Sequence, residues 1–341
     1  AKGLPVMPDS AELVTRIEVL GEKLAAAKAS ITKRFIGQEQ VVDLTLSALL
    51  CGGHGLLIGL PGLGKTRLVD ALSTVMGLSG NRIQFTPDLM PADILGSEVL
   101  DTTAEGNRAF RFIEGPIFCQ LLLADEINRA SPRTQSALLQ AMQEREVTIA
   151  GAHRPLGQPF HVLATQNPIE QEGTYPLPEA QLDRFLVQIN VDYPDRATER
   201  DILLATTGVV EEDSHAVFTA AELLEAQTTL RRMPVGDAVV EHILDLVRAC
   251  RPGDPDAPEA VRRNVSWGPG PRAAQALMMT TRARALLDGR LAPSAEDVVA
   301  MAEPVLLHRM ALSFAARARG EDLAAIIRDT AAQITRREAA A

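Results

Sequence analysis

The chain has 341 residues, 46% of them apolar, enough to fill the cores of two domains. A formal net charge of −10 and only 4% aromatic residues argue against a nucleic-acid binder, which ordinarily carries a basic stripe and stacking aromatics. No run nears the roughly 18–20 apolar residues of a membrane span, no basic-then-apolar leader pattern is seen, and Cys51, Cys119 and Cys250 lie far apart without C-x-x-C spacing; the expectation is a cytoplasmic protein with free thiols.

In chain order, Leu13, Ile17, Leu20 and Leu24 recur at helical spacing over 10–34, and after Phe35-Ile36-Gly37-Gln38-Glu39 a second helix runs to about Leu50. The apolar run Leu56-Leu57-Ile58 reads as a buried strand. It leads into Gly59-Leu60-Pro61-Gly62-Leu63-Gly64-Lys65-Thr66, a complete G-x-x-x-x-G-K-[ST] phosphate loop, and into a helix through Arg67 and Leu72. Each residue type there has its own task. Glycines let successive N–H groups turn toward phosphates, the helix offers its positive end, Lys65 reaches the β- and γ-phosphates and Thr66 ligates Mg²⁺. The loop residues Gly59, Pro61, Gly62, Leu63, Gly64, Lys65, Thr66 and Arg67 are therefore the candidate ATP-binding set.

Further strands are expected at Ile83–Phe85, Leu121–Ala124 and Val162–Thr165, separated by helical or hairpin material, which is the rhythm of a parallel α/β sheet. Two segments break it. Val99-Leu100 and Phe110–Ile113 alternate around the polar turn 102–108, giving a hairpin over about 98–117, and Val147-Thr148-Ile149 meets Gly151 and returns, giving a second over about 146–156. Between them Ser131 and Pro132 start a helix running to Glu144. Beyond Tyr193 only helical patterns remain, at 221–228, 239–249, 271–287, 294–309 and 322–332, with 251–269 a long loop; a core over 1–195 and an all-helical lid over 196–341 are expected. In the second lid helix Val240, Ile243, Leu244 and Val247 form the expected packing stripe.

Leu121-Leu122-Leu123-Ala124-Asp125-Glu126 is an apolar strand ending in two acids some 60 residues after the loop lysine. Asp125 would hold Mg²⁺ through water and Glu126 would polarise the attacking water, because phosphoryl transfer needs charge neutralisation and an oriented nucleophile. The next strand ends in Thr165-Gln166-Asn167-Pro168, where Asn167 could position that water, although Asn-Pro also favours a plain turn. His54, His153, His161, His215, His242 and His308 show no metal-ligand spacing.

These residues resemble the AAA+ ATPases, and the wording of several motifs resembles their MoxR family. The motifs are Arg82 to Ile94, Gly115-Pro116-Ile117-Phe118, Asp125-Glu126-Ile127-Asn128-Arg129-Ala130 and the stretch from Ala164 to Phe185. The resemblance implies a P-loop AAA+ core with parallel sheet and inserted hairpins, the first being the helix-2 insert and the second the pre-sensor-1 hairpin, followed by an all-helical lid. It makes Asn167 the sensor-1 residue and Arg184 a finger donated to a neighbouring subunit, where an intramolecular pair with Asp183 or Glu179 is the competing reading. It makes Arg272 the sensor-2 residue of the lid, in a Gly268-Pro269-Gly270-Pro271-Arg272-Ala273 segment that departs from the family's usual Gly-Ala-Ser-Pro-Arg-Ala. It further implies a homo-hexameric ring that spends Mg-ATP on chaperone-like remodelling of protein complexes, in some members metal-cofactor insertion, with a von Willebrand factor A domain protein or a metalloenzyme as client. The alternatives are a ring motor acting on DNA and a nucleotide-gated scaffold without turnover.

Overall fold

The computed structural model describes residues 10–102, 108–169, 173–207 and 214–340, so most of the 102–108 turn and part of the Ala164–Phe185 stretch lie outside the described residues. The chain divides into two compact units, one of residues 30–220 and one of 1–29 with 221–341. The division thus falls after residue 220, not after 195, and the N-terminal residues group with the C-terminal helices.

Helix α1 (Ser10–Arg34) is followed by α2 (Glu39–Leu50), β1 (Gly55–Gly59), α3 (Lys65–Val75), β2 (Gly80–Gln84), α4 (Pro91–Leu95), β3 (Gly96–Thr102) and β4 (Arg108–Glu114). Then come β5 (Leu121–Asp125), α5 (Pro132–Glu144), β6 (Glu146–Ile149), β7 (Ala152–Pro155), β8 (His161–Gln166), α6 (Glu179–Leu182), β9 (Val187–Val191) and α7 (Arg196–Thr207). Five strands form one parallel sheet in the order β2-β5-β8-β1-β9. Their apolar runs are what a sheet covered on both faces requires: Leu121, Leu122, Leu123 and Ala124 are all buried, as are Val162, Leu163 and Ala164. Phe85 and Phe185, fully buried, join this core from the segments just beyond β2 and just before β9.

Strand order reverses at β1, so the loops after β1 and β8 diverge and leave a crevice at the carboxyl edge of the sheet, the place where open α/β sheets bind ligands. The sequence reading did not include β9, although Val187, Ile189 and Val191 alternate and are buried; the run is short and has Gln188 and Asn190 between them. Both expected hairpins are present. β3 pairs with β4 from Gly96 opposite Glu114 to Thr102 opposite Arg108, and β6 pairs with β7. Arg154 of β7 ties the two together, its guanidinium 3.8 Å from the centre of the Phe112 ring on β4 and 3.8 Å from Glu98 on β3. Ser131 caps α5, its hydroxyl accepting from the Thr134 N–H.

The other unit holds α8 (Ala220–Arg232), α9 (Asp237–Ala249), α10 (Glu259–Asn264), β10 (Val265–Trp267), α11 (Pro271–Leu287), α12 (Ala295–Leu306), β11 (Ala311–Leu312), α13 (Phe314–Ala318) and α14 (Leu323–Ala340). Two expectations need correcting. The lid is helical apart from one short antiparallel pair, β10 with β11, and 251–269 is not one long loop, since it holds α10 and β10. The packing stripe of α9 is rotated: Val239, His242, Ile243, Leu246 and Val247 are buried while Leu244 is 43% exposed, because the buried face follows the neighbours that cover it and not the densest apolar spacing. Asp297, 1% exposed, anchors this unit. It accepts from Arg284 and from both terminal nitrogens of Arg290 while capping α12 through the Ser294 N–H. Burial opposes its ionisation, but these bonds outweigh that and hold its carboxyl below the usual range. No helix among the described residues is long and apolar enough to cross a membrane, and all three cysteines are buried and free.

Behind the sheet's amino edge, His54 and His161 are buried together. The Val162 N–H donates to His54 Nδ1 at 2.9 Å, which fixes the proton on Nε2, and His161 Nδ1 donates to the Gly53 carbonyl at 2.8 Å. Burial first, then the charge of His161, pushes His54 down to about 3 against its bond to the Met142 carbonyl, and burial pushes His161 down to about 4 against its bond to the Gly53 carbonyl, with Arg145 lowering both. Both stay neutral in the fold but protonate near 6.5 when unfolded, so stability is full above that pH and falls as pH drops below it, by about 1.4 kcal/mol per pH unit for each histidine. Urea midpoints measured from pH 7.5 to 5 should decline below pH 6.5, and His161→Gln should flatten the decline; an unchanged slope would remove the pair from the account.

Candidate active site

The phosphate loop is shaped by two glycines with different constraints. At Gly59, where β1 ends beside β9, an added Cβ would lie 2.6 Å from the Val191 carbonyl oxygen, so no side chain fits. Gly64 caps α3 at φ 78° and would bring a Cβ to 3.3 Å from the Phe35 ring, so both backbone and space select glycine there. With the loop turned this way, α3 opens at Lys65 and its amino end faces the crevice.

A cavity of about 830 Å³ occupies that crevice, lined by Pro61, Gly62, Leu63, Gly64, Lys65, Thr66 and Arg67, and on its other walls by Asp125, Glu126 and Asn167. Every expected nucleotide-site residue of the core thus faces one space, apart from Gly59, which lies behind the loop, and Arg184. Lys65 Nζ donates to the Gly59 carbonyl at 2.5 Å. Burial lowers its pKa, against the opposing pull of Asp125 and Glu126.

The two acids are held by neighbours on either side of β5. In the parallel β5–β8 ladder the fully buried Thr165 lies one step beyond the Ala124–Ala164 pair; its hydroxyl donates to Asp125 Oδ1 at 2.6 Å and accepts from the Glu126 N–H at 2.8 Å. On the β2 side, where Gln84 pairs with Asp125, Arg82 Nη2 donates to Asp125 Oδ2 at 2.7 Å and Gln84 Nε2 to Glu126 Oε2 at 2.8 Å. Arg129 donates to the same Glu126 oxygen at 3.0 Å. Glu126 itself has φ 55° and ψ 50°, a left-handed conformation costing a non-glycine residue about 1–2 kcal/mol, and its N–H bond to Thr165 helps to hold it. Asn167, 7% exposed, follows the last residue of β8 and lines the same cavity, and its Oδ1 accepts from the Ile169 N–H at 3.2 Å.

Arg184 does not line the cavity. Its Nη1 donates to the Leu139 carbonyl of α5 at 2.7 Å, so neither Asp183 nor Glu179 is the partner that this bond provides. Arg272 is the second residue of α11 and belongs to the helical unit. Several site residues had no assigned part in the sequence reading. Arg82, Gln84 and Arg129 stand in the quoted motifs, where the period-two spacing of the first two and the three-residue step from Glu126 to Arg129 are the available signals; Thr165 gives none until strand order is known. The wall that Phe35, Ile36, Tyr193, Ile202 and Leu203 supply comes from segments far apart in sequence.

The profile of the ATPase family associated with various cellular activities (AAA) matches residues 54–187, and that of the AAA lid domain matches 258–330. The fold is that of an AAA ATPase core and an AAA lid domain. Chaperone MoxR1 of Mycobacterium tuberculosis is 41% identical over 86% of this chain and 77% of its own length, and protein MoxR of Paracoccus denitrificans is 34% identical over 89% and 93%. A solved structure of a candidate ATPase from Cytophaga hutchinsonii matches with a TM-score of 0.84 at 35% identity, covering 96% of each chain. The chain belongs to the MoxR family of AAA+ ATPases.

Because Thr165 serves both acids from a fully buried position, Thr165→Val should leave two polar groups unpaired and lower stability by about 1–3 kcal/mol, whereas Thr165→Ser should lose well under half of that. Urea denaturation of the two variants checks this, and equal losses would refute the hydroxyl's part.

Proposed function

We propose that this protein binds ATP with Mg²⁺ in the crevice and hydrolyses it, and that it spends the energy on chaperone-like remodelling of protein complexes as a homo-hexameric ring. The observation that carries the hydrolytic reading is that Lys65, Thr66, Asp125, Glu126 and Asn167 face one cavity although three separate strand ends supply them. The apolar wall of Phe35, Ile36, Tyr193 and Leu203 suits the flat face of a purine, and the glycine loop with Lys65 suits the phosphates.

The donor set fits Mg²⁺: the Thr66 hydroxyl and the Asp125 carboxylate are oxygen donors on the same cavity, the first to ligate the ion and the second to hold it through water, and a hard cation keeps waters while taking few protein groups beside substrate phosphates. When bound, Mg²⁺ neutralises the charge that develops on the phosphates. The protein's own groups do the rest. Lys65 exchanges its Gly59 carbonyl for phosphate oxygen. Glu126, released from Gln84 and Arg129, orients and polarises the attacking water, and Asn167 holds that water or the γ-phosphate from β8. Arg184 lies off its own cavity, and we assign it to the neighbouring subunit's site, where a cation stabilises the transferring phosphoryl group and head-to-tail donation closes a ring. Arg272 of the lid would sense the γ-phosphate. The chaperone designation of the Mycobacterium relative supports a protein client, and the family resemblance favours a von Willebrand factor A domain protein or an immature metalloenzyme, in the cytoplasm.

Lys65→Ala should weaken nucleotide binding. Glu126→Gln should keep binding, lower turnover by about 10²–10⁴-fold, and retain protein clients in nuclease-treated pull-downs from lysate. Wild-type turnover in Glu126→Gln would reject the assignment, and nuclease-sensitive capture of DNA-associated proteins would favour a DNA motor.

Mixing inactive Arg184→Ala subunits with inactive Glu126→Gln subunits should restore measurable ATPase activity, because one class of interface in a mixed ring then has both groups intact. No recovery at any mixing ratio would count against donation between subunits.

A further inference from the structure

Asp125 is already matched by a cation. The guanidinium of Arg82 sits 2.7 Å from Oδ2, while the neutral Thr165 hydroxyl holds Oδ1. The two partners differ in how freely they can leave. Thr165 is fully buried in β8, whereas the Arg82 side chain is 51% exposed on the edge strand β2. Arg82 also lines the cavity, and its Nη2 donates to Gln84 Oε1 at 3.2 Å. Gln84 in turn donates to Glu126. The two acids and two strand-β2 residues therefore form one unbroken chain, Asp125–Arg82–Gln84–Glu126.

We infer that Arg82 is a positioning residue that competes with Mg²⁺ for Asp125, holding the carboxylate until the metal-nucleotide arrives and so raising the Mg²⁺ concentration needed for tight nucleotide binding. The inference rests on the ATP-binding reading above. Its physical basis is exclusion: the guanidinium and a water carried by the metal cannot both donate to the same Oδ2 lone pairs, and the two cations repel each other. The exposed guanidinium has water to return to, so its departure costs little, and the metal, with twice the charge, prevails when the phosphates help to hold it. Leaving Asp125 also takes the guanidinium away from Gln84 Oε1. Gln84 is then held on one side only, by its own bond to Glu126.

The test is the Mg²⁺ dependence of binding, read with a fluorescent, non-hydrolysable ATP analogue on the full chain, so that turnover plays no part. Arg82→Gln should lower the half-saturating Mg²⁺ concentration about two- to fivefold, the range an exposed ion pair supports. Arg82→Lys, which keeps the charge without the fork, should fall between it and the wild type. In an Asp125→Asn background, Arg82→Gln should produce no such shift. An unchanged or raised Mg²⁺ requirement in both Arg82 variants overturns the inference, since a residue that merely orients Asp125 would raise it. Wild-type protein that binds the analogue at no Mg²⁺ concentration would instead overturn the ATP-binding reading itself.

Discussion

The register of β5 against its two parallel neighbours is the constraint on which the site depends. Parallel strands have evenly spaced bonds and no freedom to slip without moving every buried side chain off its packing partner. With Leu121 to Leu123 buried between two sheet faces, slipping one residue would destroy the core, and so the positions of Asp125 and Glu126 are fixed by residues that never touch a ligand. The same register decides which polar groups meet them: Thr165 from β8, and Arg82 and Gln84 from β2. The chemistry sits at the rim because the rim is where the ladder ends and side chains no longer face apolar neighbours.

This explains which parts of the site were legible in the sequence. The phosphate loop is a local object: Gly59, Gly64, Lys65 and Thr66 fall within eight residues of chain, and a local pattern can be read without knowing the fold. Asp125 and Glu126 are legible for a related reason, as acids ending a continuous apolar run. Thr165 is not. A threonine in a buried strand is ordinary, and only the adjacency of β5 and β8, whose starts lie forty residues apart, gives its hydroxyl two jobs. The apolar wall of the cavity is illegible likewise, because Phe35 follows α1 and Leu203 lies on α7. In the fold, β9 was hidden by its short length, and α10 by the prolines and glycines around it, which read as a loop. The rotated stripe of α9 shows that apolar spacing names a helix more securely than it names the buried face.

The inserted hairpins show how the sheet edge is connected to the outside. The chain leaves β2 at Gln84, passes the buried Phe85, and within a dozen residues enters β3. The second hairpin, β6–β7, returns directly into β8, which carries Thr165 and leads to Asn167. Arg154 joins the hairpins by stacking on Phe112 and pairing with Glu98, while Phe112 meets Phe118 edge to face at 5.7 Å. The two strands flanking β5 thus lead to one linked pair of hairpins, one of which exposes Leu100 and Phe110 directly opposite each other. A shift of β2 or β8 relative to β5 has a short covalent route to that surface.

The charges of the site complete the argument. Arg34, Lys65, Arg67 and Arg82 line the cavity together with Asp125, Glu126 and Glu199, and Arg129 donates to Glu126, so cations outnumber acids there only slightly. A nucleoside triphosphate adds several negative charges, which so small an excess of cations does not balance. That deficit favours a site that accepts its nucleotide together with a divalent ion and is completed by an arginine from elsewhere. Arg184, hydrogen-bonded to α5 away from its own cavity, is a cation that the chain does not use at its own site.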